Sequence, residues 1–104
     1  MYLFFDTETT GLPMRWNVPV TDVENWPRLV QLAWMMCDAG GNTIESRNAI
    51  VKPEGFAIPA EAARVHGITT QIALEKGEPI RDVLEQFSEK IDEAYALVGH
   101  NISF

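Results

Sequence analysis

The sequence contains a single cysteine, Cys37, among 104 residues. One cysteine cannot form an internal disulfide, and its place in an apolar run predicts a buried thiol in a reducing compartment. No apolar run approaches the roughly 20 residues needed to cross a bilayer. The first residues also lack the basic segment that opens a signal peptide. These absences predict one cytoplasmic domain that has no membrane partner.

Basic residues are also scarce, since eight Lys and Arg stand against fifteen Asp and Glu, for a net charge of −7. Domains that bind nucleic acid usually carry a basic surface, so this composition predicts weak non-specific affinity for a polynucleotide. Divalent cations held by carboxylates would locally reduce the repulsion between this acidic chain and the phosphates of a polynucleotide. An enzyme that acts on one strand end also needs no long basic track.

The opening segment combines a short apolar run with two carboxylates. Residues 3–5 (Leu-Phe-Phe) predict a buried strand. Asp6 and Glu8 follow two residues apart, and on an extended backbone such residues point to the same face. Two carboxylates on one face repel each other unless they share a hard cation such as Mg²⁺ or Mn²⁺. Thr9 and Thr10 then supply hydroxyls where a phosphate could be held; the alternative is a solvated strand end followed by ordinary turn residues.

The rest of the pattern predicts three more strands and three helices. The predicted strands are residues 28–37, 43–51 and 95–98, and the predicted helices are residues 58–67, 70–76 and 80–94. A Gly-Gly turn joins the second and third strands as an antiparallel hairpin. The last helix carries its apolar residues at helical spacing, and a new helix is expected near Ile102. A β-β-β-α-β order permits a right-handed crossover that places the fourth strand parallel to the first.

Residues 13–27 form a long connection that contains three prolines and two tryptophans, Trp16 and Trp26. Loops of this length are often functional, and the indoles could stack on nucleobases. We favour the simpler interpretation, in which the tryptophans fix the loop to the domain.

Three segments carry a resemblance to one family. Residues 5–12 (Phe-Asp-Thr-Glu-Thr-Thr-Gly-Leu) resemble the first motif of the DEDD superfamily of 3′–5′ exonucleases, the DnaQ-like proofreading and RNA-trimming enzymes. Residues 65–69 (Val-His-Gly-Ile-Thr) resemble the family segment that borders the terminal-nucleotide pocket. Residues 98–104 resemble the second motif, Gly-His-Asn-x-x-Phe-Asp, without its final aspartate. The resemblance implies a ribonuclease H-like α/β fold, here a three-stranded antiparallel meander plus a parallel fourth strand with helices. The family's fifth strand and C-terminal helix are missing.

The resemblance also implies roles for individual residues. Asp6 and Glu8 would be catalytic metal ligands. The candidate substrate-binding residues are Thr9, Thr10, Leu12, His66, Asn101 and Phe104. Two of them have structural alternatives, because His66 is favoured by the dipole at a helix C-terminus and Leu12 could simply pack in a turn. His100 is expected to be structural, since the family's general base belongs to a third motif that this sequence lacks.

The function implied by the resemblance is a metal-dependent 3′–5′ exonuclease. Such an enzyme releases nucleoside 5′-monophosphates from single-stranded or frayed 3′ ends of DNA or RNA, using two Mg²⁺ or Mn²⁺ ions about 4 Å apart. Only two of the four metal-binding carboxylates are present. We therefore expect residues 1–104 to be the N-terminal part of a single exonuclease domain, inactive alone, whose partners include a DNA polymerase or another domain. The alternative is a non-catalytic module that binds nucleic acid or a polymerase.

Overall fold

The computed structural model describes residues 1–102, which form one mixed sheet and three helices. The strands are β1 (Tyr2–Thr9), β2 (Leu29–Cys37), β3 (Thr43–Ile50) and β4 (Ala96–Gly99), and the helices are α1 (Ala60–His66), α2 (Thr70–Lys76) and α3 (Ile80–Glu93). The sheet order is β3-β2-β1-β4. β1–β2 and β2–β3 are antiparallel, and β4 is parallel to β1. The predicted α/β meander with a parallel fourth strand is confirmed.

The ends of several elements differ from the predicted ones for local reasons. Helix α1 was expected to include residues 58 and 59, but Pro59 has an extended backbone and occupies the N-cap position. Helix α3 ends one residue early because Ala94 is extended. Strand β4 lies one residue later than predicted, because its ladder with β1 begins at Ala96, opposite Tyr2. The helix expected near Ile102 would lie mostly outside the described residues.

The main core lies between the sheet and α3. Leu3 and Val83 are fully buried there, and Phe5 packs against the same cluster. The other buried members come from β2, β3 and the residue after β3; they are Leu32, Trp34, Met36, Ala49 and Val51. Because side chains alternate along a strand, burying Leu3 and Phe5 against α3 turns Asp6 and Glu8 to the opposite face. The core thus decides which face carries the two carboxylates.

A second cluster surrounds Val30 and anchors α1 and α2. Its other buried members are Ile58, Ala62, Ile68 and Ala73. Thr69 caps α2 as predicted, since its hydroxyl accepts a hydrogen bond from the Ile72 amide. Gly67 ends α1 in the left-handed conformation, with φ of 78°, which glycine adopts without a steric cost. This cluster fixes the C-terminal end of α1 near β1.

Polar contacts close the hairpin and the edge at β3. In the β2–β3 turn, the Asp38 carboxylate accepts hydrogen bonds from the amides of Gly40 and Asn42. Arg47 of β3 donates two hydrogen bonds of 2.6 Å to Glu78, and Lys90 of α3 pairs with Glu45 of β3 at 2.7 Å.

The structure also bears on the predicted burial of the single cysteine and on membrane-spanning segments. Cys37 is buried, as predicted. None of the helices in residues 1–102 combines the length and apolar character that a membrane crossing requires.

Candidate active site

The two carboxylates lie on the face of β1 that points away from α3. In the register with β2, Asp6 is opposite Ala33 and Glu8 is opposite Gln31. Alanine is too short to cover its neighbour, and the Gln31 amide is already bonded to Asn48 at 2.6 Å. The space beside the two carboxylates therefore stays open, and their shared face agrees with the sequence prediction.

Neither carboxylate has a side-chain partner within residues 1–102. Asp6 is exposed and Glu8 is half-buried, and no hydrogen bond or ion pair reaches the carboxyl oxygens of either residue in this part of the chain. Two adjacent anions without a cation repel each other. Their oxygen donors are the type that Mg²⁺ and Mn²⁺ prefer, so the pair fits a divalent cation chemically.

The pair is only part of a ligand set. Among the described residues there is no group of three or more His, Cys, Asp or Glu side chains that could hold a metal ion. Magnesium requires near-octahedral oxygen coordination. The remaining positions around a cation bound to Asp6 and Glu8 would have to be taken by water, substrate oxygens or other carboxylates.

The turn after β1 is tied to the start of β2. The Thr10 hydroxyl accepts a hydrogen bond from the Arg28 amide at 2.9 Å, and the Thr10 amide donates to the Arg28 carbonyl. The Thr9 hydroxyl donates to the Gly11 carbonyl at 2.7 Å. These bonds fix the direction in which the chain leaves the carboxylates, so both threonines have a structural function besides the predicted contact with substrate.

One cleft joins the end of β1 to helix α1, and we call it the His66 cleft. Its volume is about 270 Å³. It is lined by Thr7, Glu8, Thr9, Gly11, Leu12, Ala62, Val65 and His66. Four predicted site residues line this cleft, which brings Glu8, Thr9 and Leu12 at the end of β1 together with His66 from a distant part of the sequence. Leu12 and Val65 are largely exposed, which leaves apolar surface available to a ligand.

The hydrogen bonds of His66 fix the position of its ring proton. The Ile68 amide donates to Nδ1 at 3.1 Å, so Nδ1 is an acceptor and the neutral ring carries its proton on Nε2. Nε2 is buried and has no hydrogen-bond partner among residues 1–102. A buried donor without a partner costs free energy, and a ligand oxygen or ring nitrogen in the His66 cleft could relieve that cost. The sequence indicated His66 but not this tautomer.

A second cleft lies on the other side of Thr9, and we call it the Trp26 cleft. Its volume is about 390 Å³. It is lined by Phe5, Asp6, Thr7, Thr9, Val20, Trp26, Pro27, Leu29, His100, Asn101 and Ile102. Asn101 has a left-handed backbone with φ of 52°, a conformation that asparagine tolerates better than most residues. Asp6 and Asn101 thus line the same cleft.

The long loop contributes to this cleft, which the sequence did not reveal. Trp26 donates from Nε1 to the Pro19 carbonyl at 3.0 Å, and the Asn25 side chain exchanges two 2.8 Å hydrogen bonds with the Arg15 backbone. The loop is therefore held by its own polar contacts, and Trp26 participates in them. Trp16 remains half-exposed. The apolar residues of this loop follow no regular spacing, so the sequence does not indicate which of them lies near Asp6.

Two predicted site residues lie apart from this arrangement. Thr10 lines neither of the two clefts, because its hydroxyl is directed to Arg28. Phe104 lies outside the described residues. Its predicted role, like the roles of the other candidates, stays a prediction.

Comparison with known proteins gives one family. The family model RNase_T, described as exonuclease, matches residues 3–104. A comparison with curated proteins finds no match.

Several solved structures share the fold. E. coli exonuclease I in complex with a 5cy-dA13 oligonucleotide is 25% identical, with a TM-score of 0.75; the alignment covers 96% of this chain and 20% of that one. The zinc-bound complex of E. coli exonuclease I with single-stranded DNA gives the same values. Exonuclease I from Methylocaldum szegediense is 24% identical with a TM-score of 0.76, and the alignment covers 96% of this chain and 20% of that one. At this identity the likeness supports the fold alone. The chain thus spans about a fifth of the length of the exonuclease I structures it matches.

Proposed function

Because residues 3–104 place this chain in the exonuclease family, we propose that it is the N-terminal part of a metal-dependent 3′–5′ exonuclease domain. The family match and the likeness to exonuclease I support a nuclease function. The direction of hydrolysis, the metal and the residue roles are the additional parts of this proposal. Its products would be nucleoside 5′-monophosphates.

The proposal depends most on the arrangement of Asp6 and Glu8. The fold positions both carboxylates on one open face of β1, and the described residues offer them no hydrogen bond or ion pair. Water can solvate an exposed carboxylate such as Asp6, so the lack of partners alone decides nothing. The closeness of two unpaired anions on one face is the feature that supports the binding of a cation.

Asp6 and Glu8 would hold Mg²⁺ or Mn²⁺ through their carboxyl oxygens. A bound divalent cation would polarise the scissile phosphate and lower the pKa of a water molecule. The side chains of this chain would fix where that cation sits relative to the His66 cleft. The zinc-bound exonuclease I structure supports a divalent cation in a relative.

The His66 cleft would receive the terminal nucleotide. Leu12 and Val65 would contact its apolar faces, and the Nε2–H group of His66 would donate to an acceptor atom of the base or sugar. Only an unstacked nucleotide can enter a cleft in this way, so single-stranded or frayed 3′ ends of DNA or RNA fit best. The exonuclease I structures with oligonucleotides support this substrate class.

A second candidate function has its own support. The net charge of −7 suits a module that contacts a polymerase better than one that holds a polynucleotide alone, so the second candidate is a non-catalytic module derived from an exonuclease domain. The two candidates differ in whether removing a carboxylate oxygen changes hydrolysis, which an assay can decide.

The test uses the full-length gene product with a 5′-labelled single-stranded oligonucleotide and Mn²⁺. We expect a ladder of products shortened from the 3′ end, together with nucleoside 5′-monophosphates. Asp6→Asn and Glu8→Gln keep the size of each side chain, and we expect both to abolish the ladder. Glu61→Gln is the matched control, because Glu61 is an exposed carboxylate in the first turn of α1.

Three outcomes are informative. Loss of the ladder in Asp6→Asn and Glu8→Gln but not in Glu61→Gln supports the proposal. Activity that survives both strand substitutions would remove this pair from the mechanism. Binding of the oligonucleotide without hydrolysis by the unaltered protein would favour the non-catalytic module.

A further inference from the structure

Arg28 immediately precedes strand β2, and its side chain can be assigned to one face of the sheet. The two residues after it belong to different cores, since Leu29 packs against the main cluster under α3 and Val30 is buried in the second cluster. The Arg28 guanidinium lies over the ring of Phe56, with its Cζ atom 5.3 Å from the ring centroid. Phe56 packs against the second cluster, so the Arg28 side chain lies on the side of the sheet that this cluster occupies.

The second cluster lies on the face that carries the two carboxylates. Ile50, which packs against this cluster, is opposite Gln31 in the β2–β3 register, and Gln31 is opposite Glu8 in the β1–β2 register. Residues directly opposite each other in a ladder point to the same face. Thr10, which is hydrogen-bonded to Arg28, follows Glu8 by two residues, a separation of at most roughly 7 Å between Cα atoms. Arg28 is therefore a neighbour of the carboxylate pair on the same face.

The position of Arg28 is restricted by its backbone and by its side chain. The Arg28 amide donates to the Thr10 hydroxyl at 2.9 Å, and the Arg28 carbonyl accepts from the Thr10 amide at 3.0 Å. The contact between the guanidinium and the Phe56 ring then limits the rotation of the side chain. The Thr10 hydroxyl, which was predicted to contact substrate, thus positions a cation.

The Arg28 guanidinium remains available to an anion. It is exposed, and no carboxylate in the described part of the chain forms an ion pair with it. Arg47 and Lys90, by contrast, are both bound in ion pairs. A guanidinium carries five N–H donors in a planar arrangement that matches two oxygens of a phosphate. In a chain with a net charge of −7, an unpaired arginine beside the carboxylates provides a local attraction for such a group.

We propose that Arg28 binds a backbone phosphate of the substrate strand, namely the phosphate on the 5′ side of the scissile one. This inference rests on the proposed function, in which a cation held by Asp6 and Glu8 contacts the scissile phosphate. A 3′-terminal nucleotide with a free hydroxyl has no phosphate beyond the scissile one, so every other phosphate of the strand lies on its 5′ side. The nearest of these is the one that a guanidinium beside the carboxylates would meet. Arg28 is then a binding residue that helps to position the strand.

The test compares two dinucleotides as substrates of the full-length gene product with Mn²⁺. A dinucleotide with a free 5′ hydroxyl contains only the scissile phosphate, and its 5′-phosphorylated form adds the phosphate that Arg28 would bind. We expect the KM of the phosphorylated form to be about tenfold lower, which is the effect of one charge-assisted hydrogen bond. Arg28→Met keeps the apolar contact with Phe56 and should abolish this difference in KM. Arg28→Lys should retain part of it, because the charge remains but the planar arrangement of donors is lost.

Arg81→Met is the matched control. Arg81 is an exposed arginine in the first turn of α3, which packs on the opposite face of the sheet, and its variant should keep the full difference in KM between the two dinucleotides. Circular dichroism of each variant measures its folding. A variant Arg28→Met that is less stable but retains the effect of the 5′-phosphate would show that Arg28 only covers Phe56, and the inference would be wrong.

Calorimetric binding with Ca²⁺ in place of Mn²⁺ provides a second measurement that does not depend on hydrolysis. The unaltered protein should bind the 5′-phosphorylated dinucleotide about tenfold more tightly than the other form, and Arg28→Met should bind the two equally. Equal binding of the two forms by the unaltered protein, or no measurable binding of either, would overturn the inference. If the difference in binding is present but neither dinucleotide is hydrolysed, the proposed nuclease function fails and the phosphate contact at Arg28 is retained.

Discussion

Replacing Gly77 by alanine should destabilise the fold strongly. Gly77 follows helix α2, and a Cβ atom there would lie 2.3 Å from the Ala73 carbonyl oxygen and 2.6 Å from the Lys52 amide nitrogen. Both neighbours are backbone atoms, so no side-chain rotation can relieve the contact. The backbone of Gly77 is in the extended region, with φ of −75°. The cost therefore comes from packing and not from the backbone conformation.

The size of the effect follows from what must move. Overpacking of a close contact costs about 1–3 kcal/mol. Separating residues 77–78 from the strand would also weaken two 2.8 Å hydrogen bonds, Lys52 amide to Glu78 carbonyl and Glu78 amide to Ile50 carbonyl, at about 1 kcal/mol each. The sum is about 3–5 kcal/mol, which lowers the melting temperature of a domain of this size by at least about 12 °C.

Thermal unfolding followed by circular dichroism measures this effect. Gly40→Ala is the matched control, since the nearest atoms to its Cβ are side-chain atoms at 3.4 Å, an ordinary contact. We expect that control to change stability by less than about 1 kcal/mol. If Gly77→Ala melts within a few degrees of Gly40→Ala, then α2 is not held against the strand as described. The packing of α2 also supports Ile68, so the NMR signals of the His66 ring should shift in Gly77→Ala.

The remaining predictions concern a turn, an ion pair and the His66 cleft. Hydrogen bonds, chiefly from the Asn42 amide, lower the pKa of Asp38; the stability they provide is present above the carboxyl pKa of the unfolded chain and is lost as the pH falls through the lower folded value. The free energy of unfolding in urea should therefore depend less on pH, in the acidic range, in Asp38→Asn than in the unaltered chain. An unchanged pH profile in Asp38→Asn would show that the turn does not cause the pH dependence. Arg47→Met removes the two hydrogen bonds to Glu78 but keeps contact with Trp34, and it should cost about 1–3 kcal/mol in urea unfolding; a change near zero would mean that the ion pair contributes nothing. Proton–nitrogen correlation spectra should show neutral His66 protonated on Nε2, and a proton on Nδ1 would contradict the bond from the Ile68 amide.

The sequence predicted the elements more reliably than their contacts. Helix α2 was predicted with its observed ends because Thr69 and Gly77 mark them locally, and capping depends on residues a few positions apart. Helix α3 was predicted from its apolar spacing. That spacing could not show that Leu84 and Ile91 would be left exposed, because exposure depends on how far the sheet extends beneath the helix.

The candidate site likewise combines features that the sequence predicts with contacts that it does not. Asp6 and Glu8 share a face because strand geometry is local, and this much could be predicted. The meeting of Glu8 with His66, and of Asp6 with Trp26, joins residues far apart in the chain. Such contacts depend on the bulge near Val30 and on the turn bonded to Arg28. No short sequence pattern predicts these long-range contacts.

The shared face of Asp6 and Glu8 is tested most directly by titrating the 104-residue chain with Mn²⁺ and recording amide NMR spectra. A paramagnetic ion bound between the two carboxylates should broaden first the signals of residues 5–9 of β1 and of residues 31–33 on the neighbouring strand. Asp6→Asn should remove this selective broadening, and Glu61→Gln should not. Broadening centred on the carboxylates Asp82, Glu85 and Glu89 of α3, or broadening of β1 that persists in Asp6→Asn, would contradict a shared cation site on this strand.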